Sequence, residues 1–241
     1  MSLKTEQHLK YRSWELPEPL WECIKPLVSE NKEGKVGRPR SVNFRKILSG
    51  IFYVLRTGIQ WQALPRELFG PPSTVYYWFS RWCKEGVFET MWQQALKVYD
   101  DLEGLEWNWQ SIDGATTKAP LGGEATGPNP TDRAKLGTKR SVLTEGKGVP
   151  IAIVISGANK HDVKLLEKTL DATIIQKPDE VKQHLCGDKG YDSKNARKAV
   201  KKRNYIPHIR SRREETCNKK KERKGTTVGC RSMSLMAKQV P

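Results

Sequence analysis

Cysteine is scarce and scattered in this chain, and that excludes several kinds of chemistry. The five cysteines (Cys23, Cys83, Cys186, Cys217 and Cys230) are odd in number and widely spaced, and the four histidines stand apart from them and from one another. No CxxC pair or Cys/His group has zinc-ligand spacing, and no disulfide framework suggests itself, so a reduced cytosolic compartment is expected. Long apolar runs are missing too. Nothing approaches the ~20 consecutive apolar residues of a membrane helix, and the opening MSLKTEQHLKYRS lacks the apolar region of a secretory signal. Acidic residues are also in deficit, 27 against 43 Lys and Arg, which leaves a formal charge of +16. That excess points to a polyanionic partner, and nucleic acid is the commonest; a merely solvated basic surface is the alternative. What the chain does have is 37% apolar residues, eight Trp and seven Tyr in 241 positions. This is enough for one domain of catalytic size and a smaller appended one.

The first hundred residues read as helices. A flexible stretch, 1–13, precedes WELPEPLWECIKPLV (14–28), a short amphipathic helix carrying Leu20, Trp21, Ile24 and Leu27. A polar link follows. Its GRPR, with Arg38 and Arg40, resembles basic extended elements laid in a DNA minor groove. Residues 43–57 place Ile47, Ile51, Val54 and Leu55 at helical spacing behind Arg45 and Lys46, and Gly58 stops the helix. After the turn-rich GIQWQALPRELFGPP, Ser73 is expected to cap a helix that runs to Gly86. Val75, Trp78, Phe79 and Trp82 form its core face, which turns Tyr76, Tyr77, Ser80, Arg81 and Lys84 outward. The arrangement suits a helix-turn-helix, with a plain helical packing domain as the alternative. A last helix, 87–101, closes a domain expected to span 14–103.

The pattern then changes. Residues 106–115 alternate as a strand and deliver Asp113 near its end. A long Gly-, Pro- and basic-rich loop covers 116–136. LGTKRSVLTEGKGVPIAIVIS reads as two strands about the turn EGKG, and 161–172 as a helix with Val163, Leu165, Leu166 and Leu170 inward. HLCGD is a short strand ending at Asp188, 193–204 a basic helix, and YIPHI a last strand. Strand, strand, strand, helix, strand, helix, strand is the order of a ribonuclease H-like α/β fold, expected over 104–213. In that architecture the first and fourth strands are neighbours, so Asp113 and Asp188 can converge on a divalent cation suited to phosphoryl transfer. A single Asp at a strand end is more often a cap or turn residue. Two at these positions, on a basic chain with a candidate DNA-binding domain, reverse that preference.

These residues resemble the bacterial insertion-sequence transposases of the DDE superfamily. The matching stretches are WELPEPLWECIKPLV, GRPRSVNFRKILSGIFYVLRTGIQWQALP, SIDGATTKA, PNPTDRAKLGTKRSVLTEGKGVPIA and GDKGYDS, which together cover about 14–213. The resemblance implies Mg²⁺- or Mn²⁺-dependent cleavage and strand transfer of double-stranded DNA, at terminal inverted repeats and a target site. It implies a homodimer on that DNA in the bacterial cytoplasm, associated with the nucleoid. It also implies that Asp113 and Asp188 are two catalytic, metal-binding carboxylates. Asp132 and Asp192 are weaker candidates of a structural kind. Arg133, Lys135, Lys139, Arg140 and Lys189 join the N-terminal basic residues as candidate DNA contacts, and Lys189 and Tyr191 flank the second carboxylate.

The family's third carboxylate is a Glu in a stretch resembling RRWVVE, after the last strand. Here Arg213 is followed by EETCNKKKERKGTTVGCRSMSLMAKQVP, whose Glu214, Glu215 and Glu222 sit in a charged run without an apolar face. A disordered tail, 214–241, is expected. The genetic code supplies an explanation. Val228–Ser232 can be encoded GTG GGT TGT CGA AGC, which read one nucleotide later gives Trp-Val-Val-Glu, and Met236 before Ala237 forces a Trp in that frame. The tail is therefore expected to be out of frame, by gene decay or by recoding at an adenine tract under 219–221. A DDE transposase impaired by the loss of its third carboxylate, a non-catalytic DNA-binding derivative that inhibits transposition, and a ribonuclease H-like nuclease with another substrate are the competing functions.

Overall fold

The computed structural model describes residues 15–29, 42–176, 178 and 182–211. Residues 1–13, expected to be flexible, Arg38 and Arg40, and the tail with its three glutamates lie outside those residues. The chain divides into two units, Met1–Val98 and Tyr99–Pro241, short of the boundary expected at residue 103. None of the described helices is long and apolar enough to cross a membrane.

The first unit is helical: α1 (Glu18–Ser29), α2 (Phe44–Thr57), a 3₁₀ turn at Trp61–Ala63, α3 (Arg66–Phe69), α4 (Pro72–Lys84) and the start of α5 (Val87–Glu103). Asn43 caps α2 by accepting the Lys46 N–H, and Gly58, at φ 70°, ends it with its own N–H on the Val54 carbonyl. The buried face of α2 is Ile47, Leu48, Ile51 and Val54. Leu55, expected inside, is 58% exposed, and Leu48 takes its place at 0%. The period is helical as read, but its axis is rotated toward residue 48. Gly50 lets Phe69 of α3 sit directly on α2, where an added Cβ would meet the Phe69 Cβ at 3.0 Å and its ring at 3.2 Å. Ser73 does not cap α4. The helix begins at Pro72, a residue that loses nothing at a first helical position because the N–H there has no intrahelical partner. Val75 and Trp82 are fully buried, and Trp78, Phe79 and Phe44 stack around them.

The second unit is a six-stranded mixed sheet: β1 (Trp109–Lys118), β2 (Gly127–Pro128), β3 (Leu136–Glu145), β4 (Pro150–Gly157), β5 (Gln183–Gly187) and β6 (Tyr205–Ile209). Between them lie α6 (Asp162–Asp171), a 3₁₀ turn at Lys189–Tyr191 and α7 (Lys194–Lys202). β3 pairs antiparallel with β1 and β4, while β5 runs parallel to β1, and β6 parallel to β5. Setting aside the two-residue β2, the order β4-β3-β1-β5-β6 places the third, second, first, fourth and fifth strands in sequence across the sheet. This is the ribonuclease H-like arrangement. β1 has the ten residues expected but lies three positions later, and the segment read as one loop contains β2, paired to β3.

One face of the sheet is built on side chains facing α6. Gly114 of β1 is register partner of Ser141 of β3, whose hydroxyl takes the Thr169 hydroxyl of α6 at 2.8 Å. On the same strands Tyr205 donates to Gln110 at 2.9 Å and Gln110 to Gln183 at 2.8 Å, a buried polar chain across β6, β1 and β5. Glu145, fully buried, accepts from the Glu106 and Val149 N–H groups and anchors the β3–β4 turn.

Candidate active site and nucleic-acid interface

Register brings the two candidate carboxylates together. Ile112 of β1 pairs with Gly187 of β5 in a parallel ladder, so Asp113 and Asp188 follow as neighbours at the same end of adjacent strands. Asp113 is 9% exposed and accepts the Gly114 N–H at 2.9 Å. Asp188 is exposed and accepts the Gly190 N–H at 2.8 Å, capping the 3₁₀ turn that follows. That turn carries Lys189 and directs Tyr191 inward, to 1% exposure. Burial raises the Tyr191 phenol strongly, and the charges of Asp162, then Asp113 and Asp188, act in the same direction, while Ser141 opposes them. Three carboxylates therefore act on one buried hydroxyl.

Asp162 was not among the residues chosen from the sequence. It is the first residue of α6, and its carboxylate lies in the space that a Cβ on Gly114 would fill. It is ion-paired to Lys139 at 3.1 Å. Only the fold reveals it, because an Asp after a helix cap is ordinary in sequence and nothing local links it to Asp113. Asp132 and Asp192 have other partners: Lys118 at 3.6 Å for the first and Arg197 at 2.9 Å for the second.

The candidate DNA contacts fall into two groups. Lys84, Arg133 and Lys135 are exposed, as are Tyr76 at 50% and Tyr77 at 56%. Arg133 and the adjacent Ala134 hold left-handed backbone, φ 51° and 59°, at the tip of the segment before β3. Arg45, Lys46, Arg81 and Lys139 are engaged within the protein. Arg45 pairs with Glu18 and donates to the Leu16 carbonyl at 2.7 Å, tying α2 to α1. Lys46 donates to the Glu67 carbonyl at 3.1 Å. Arg81 pairs with Glu85 at 2.7 Å over the Trp78 ring, and that hydrogen bond raises its pKa further. Lys139 has a side chain only 12% exposed, and Arg140 is half-buried with its Nε out of reach of solvent. Lys189 is half-exposed beside Asp188.

The family profile described as "Transposase DDE domain" matches residues 109–234, just over half of the 241-residue chain. The chain belongs to the transposase DDE-domain family. A second profile, "Putative transposase of IS4/5 family", matches residues 16–92 of this chain. The "Putative transposase for insertion sequence element IS402" of Burkholderia cepacia is 38% identical over 99 residues, 37% of this chain and 45% of that protein. The match thus spans less than half of that relative's length. The "Insertion element IS402 uncharacterized 16.2 kDa protein" of the same organism is 28% identical over 119 residues, 48% of this chain and 80% of that one. The solved "Mos1 transposase paired-end complex with left transposon end" aligns over 86% of this chain and 80% of its own at 9% identity and a TM-score of 0.32. The fold assignment rests on strand order and not on that likeness.

The DDE domain implies dependence on a divalent metal. In this DDE-domain chain Asp113 and Asp188 offer hard oxygen donors of the kind such cations take. As they stand, no three His, Cys, Asp or Glu side chains among the described residues are grouped closely enough to hold an ion. The two carboxylates fit a hard cation, but they make an incomplete site. The histidines of the sheet play no part there. His184 and His208 share a 2.7 Å contact on β5 and β6 with Trp109 stacked on His184, and burial, then His184, lowers the His208 pKa.

Proposed function

We propose that this chain is an insertion-sequence transposase that binds double-stranded DNA at terminal inverted repeats through its helical unit and carries two of the three carboxylates used for strand cleavage and transfer. The adjacent ends of β1 and β5, which set Asp113 beside Asp188 in a DDE-domain chain, support this most directly. A bound Mg²⁺, or Mn²⁺ in its place, would supply Lewis acidity at the attacked phosphate and activate the attacking oxygen. Asp113, buried and fixed by the Gly114 amide, is the rigid donor, and Asp188, exposed beside it, faces solvent and DNA.

In the helical unit α4 takes the place of a helix-turn-helix reading helix, with Tyr76, Tyr77 and Lys84 outward. Exposed Arg133 and Lys135 contact the phosphate backbone, and Arg38 and Arg40, which lie outside the described residues, are assigned the same role from the sequence alone. Assembly as a homodimer on the DNA, at the bacterial nucleoid, belongs to the same reading.

On this reading the third carboxylate is missing: the residues after Arg213 lack the RRWVVE-like stretch, and codons that would encode them are compatible with it when read one nucleotide later. The chain is accordingly assigned end binding with little or no strand transfer, the behaviour of an inhibitor that occupies transposon ends. The test is to incubate the purified chain with inverted-repeat DNA over a range of salt and then with Mg²⁺. Binding should weaken steeply with salt, and substituting Lys135 by Ala should lower the log–log slope by about 1. Efficient joining of ends would overturn the assigned loss of activity, and indifference to the end sequence would overturn the assigned substrate. Sequencing the gene across codons 219–221 tests the frame directly.

A further inference from the structure

We propose that Leu121 is a wedge that enters the base stack of double-stranded DNA while Arg133 and Lys135 hold the phosphates beside it, an assignment that rests on the reading of this chain as a duplex-binding transposase with Asp113 at its cleavage site.

The tip that carries Leu121 continues the β1–β3 ladder. Lys118, the last residue of β1, pairs with Gly137, and beyond it the Ala119 N–H donates to the Leu136 carbonyl at 2.9 Å. The chain then reverses at once. The Gly122 N–H returns to the Ala119 carbonyl at 3.0 Å, which closes a four-residue turn with Pro120 and Leu121 at its centre. Proline at the second position of such a turn fixes φ, so the tip is set before any partner arrives. Gly122 and Gly123 follow at φ 74° and 141°, and the Thr126 hydroxyl closes the next turn on the Gly123 carbonyl at 2.7 Å. Leu121 is 100% exposed on this turn. Leu136, 44% exposed, lies close by, where a Cβ on Gly122 would come within 3.9 Å of its side chain.

A lone exposed leucine is ordinary. The surroundings of this one are not. Residues 129–135 form a second fixed tip, joined to the first through the Lys135–Leu136 step. The Asn129 N–H donates to the Lys135 carbonyl at 2.8 Å, and the Asn129 carbonyl accepts from Asp132 and Ala134 at 3.2 and 3.0 Å. This tip presents Arg133 and Lys135, both exposed. Lys118, its side chain 75% exposed, is a third cation, 3.6 Å from Asp132, and Glu124 is the other acid here. An apolar point among exposed cations suits a partner that combines stacked bases with phosphates, and proteins that kink DNA insert such a residue between base steps. A second copy docked tip to tip would bring the same cations together, which disfavours that pairing.

Placement gives the wedge its use. Lys118 lies five residues beyond Asp113 on β1, about 17 Å along the strand. That is the rise of about five base pairs, so the wedge would open or bend the duplex roughly five or more base pairs from the cleavage point.

The experiment uses inverted-repeat duplexes carrying 2-aminopurine, which fluoresces when unstacked, at successive positions. Each is bound to the purified full chain without divalent metal. Fluorescence should rise at one step, roughly five or more base pairs from the transposon end. Leu121→Ser should abolish the rise and leave the salt dependence of binding as it was, whereas Leu121→Met should retain it. Arg133→Ala should lower the log–log salt slope by about 1. No rise at any position of the bound repeat overturns the proposal, as does a rise that survives Leu121→Ser. A dimer in sedimentation that Leu121→Ser breaks, without any rise, gives the tip to a second copy and also overturns it. If the Leu121-dependent rise occurs equally on unrelated duplexes bound as tightly, the wedge stands and the reading of end recognition falls instead.

Discussion

Replacing Tyr205 by Phe removes one oxygen from the buried chain that links three strands, and two separate consequences follow. The Tyr205 hydroxyl donates to Gln110 Oε1 at 2.9 Å, and Gln110 and Gln183 are fully buried. Without the hydroxyl, the Gln110 oxygen is left buried with no water to replace the bond. An unsatisfied buried acceptor costs about 1–3 kcal/mol. In a sheet unit of this size, that lowers the melting midpoint by roughly 3–10 °C. The second consequence concerns alkaline pH. Burial pushes the Tyr205 phenol up to about 12 from the ordinary tyrosine value of about 10. Between those values the folded chain keeps a proton that the unfolded chain has lost. The stability tied to the protonated phenol is therefore complete below pH 10 and is lost as pH rises toward about 12, a fall of about 2–3 kcal/mol. The Phe variant has no such group. Its deficit should be largest near neutrality and shrink on the alkaline side. Urea denaturation followed by circular dichroism at a series of pH values measures both. Equal stability near neutrality, or a deficit that stays constant into the alkaline range, would refute the reasoning.

Two further predictions concern packing and acid. Leu48→Ala should cost about 2–5 kcal/mol, while Leu55→Ala, on the same helix but solvent-facing, should stay within about 0.5 kcal/mol; thermal melts of both variants check the rotation of α2. His208 is held neutral by burial and by His184, so stability should be complete above the ordinary histidine pKa of about 6.5 and decline as pH falls below it. His208→Gln should flatten that acid limb, which urea titrations at several pH values will show.

The fold was largely legible because its strands and helices announce themselves by period and punctuation. YIPHI, the alternation leading to Asp113 and the glycine after α2 all lie where local chemistry puts them. The misreadings have local causes too. Leu55 and Leu48 are equally apolar and both fit a helical stripe, so the sequence sets the period but not which way the stripe turns; tertiary packing decides that. Ser73 is a good cap in isolation, but Pro72 had already begun the helix. The extension of β1 to Lys118 and the pairing of β2 depend on β3 as a partner across a long loop, which no window of the chain contains. At the candidate site the same division holds. Asp113 and Asp188 were found because strand order makes their strands neighbours. Lys139, an apparent surface cation on the sequence, turns inward to Asp162, and that acid is invisible until α6 docks on the sheet.

Gly114 and Asp162 share a single volume. A side chain at 114 and a carboxylate at 162 cannot both occupy it, so drift at one position is gated by the other. Among related chains the two should be inherited or lost together: Ala or Ser at 114 should appear only with a small residue at 162. Such a lineage would keep its sheet and lose the acid at the start of α6, and a simple count of paired substitutions would reveal it without any protein being made.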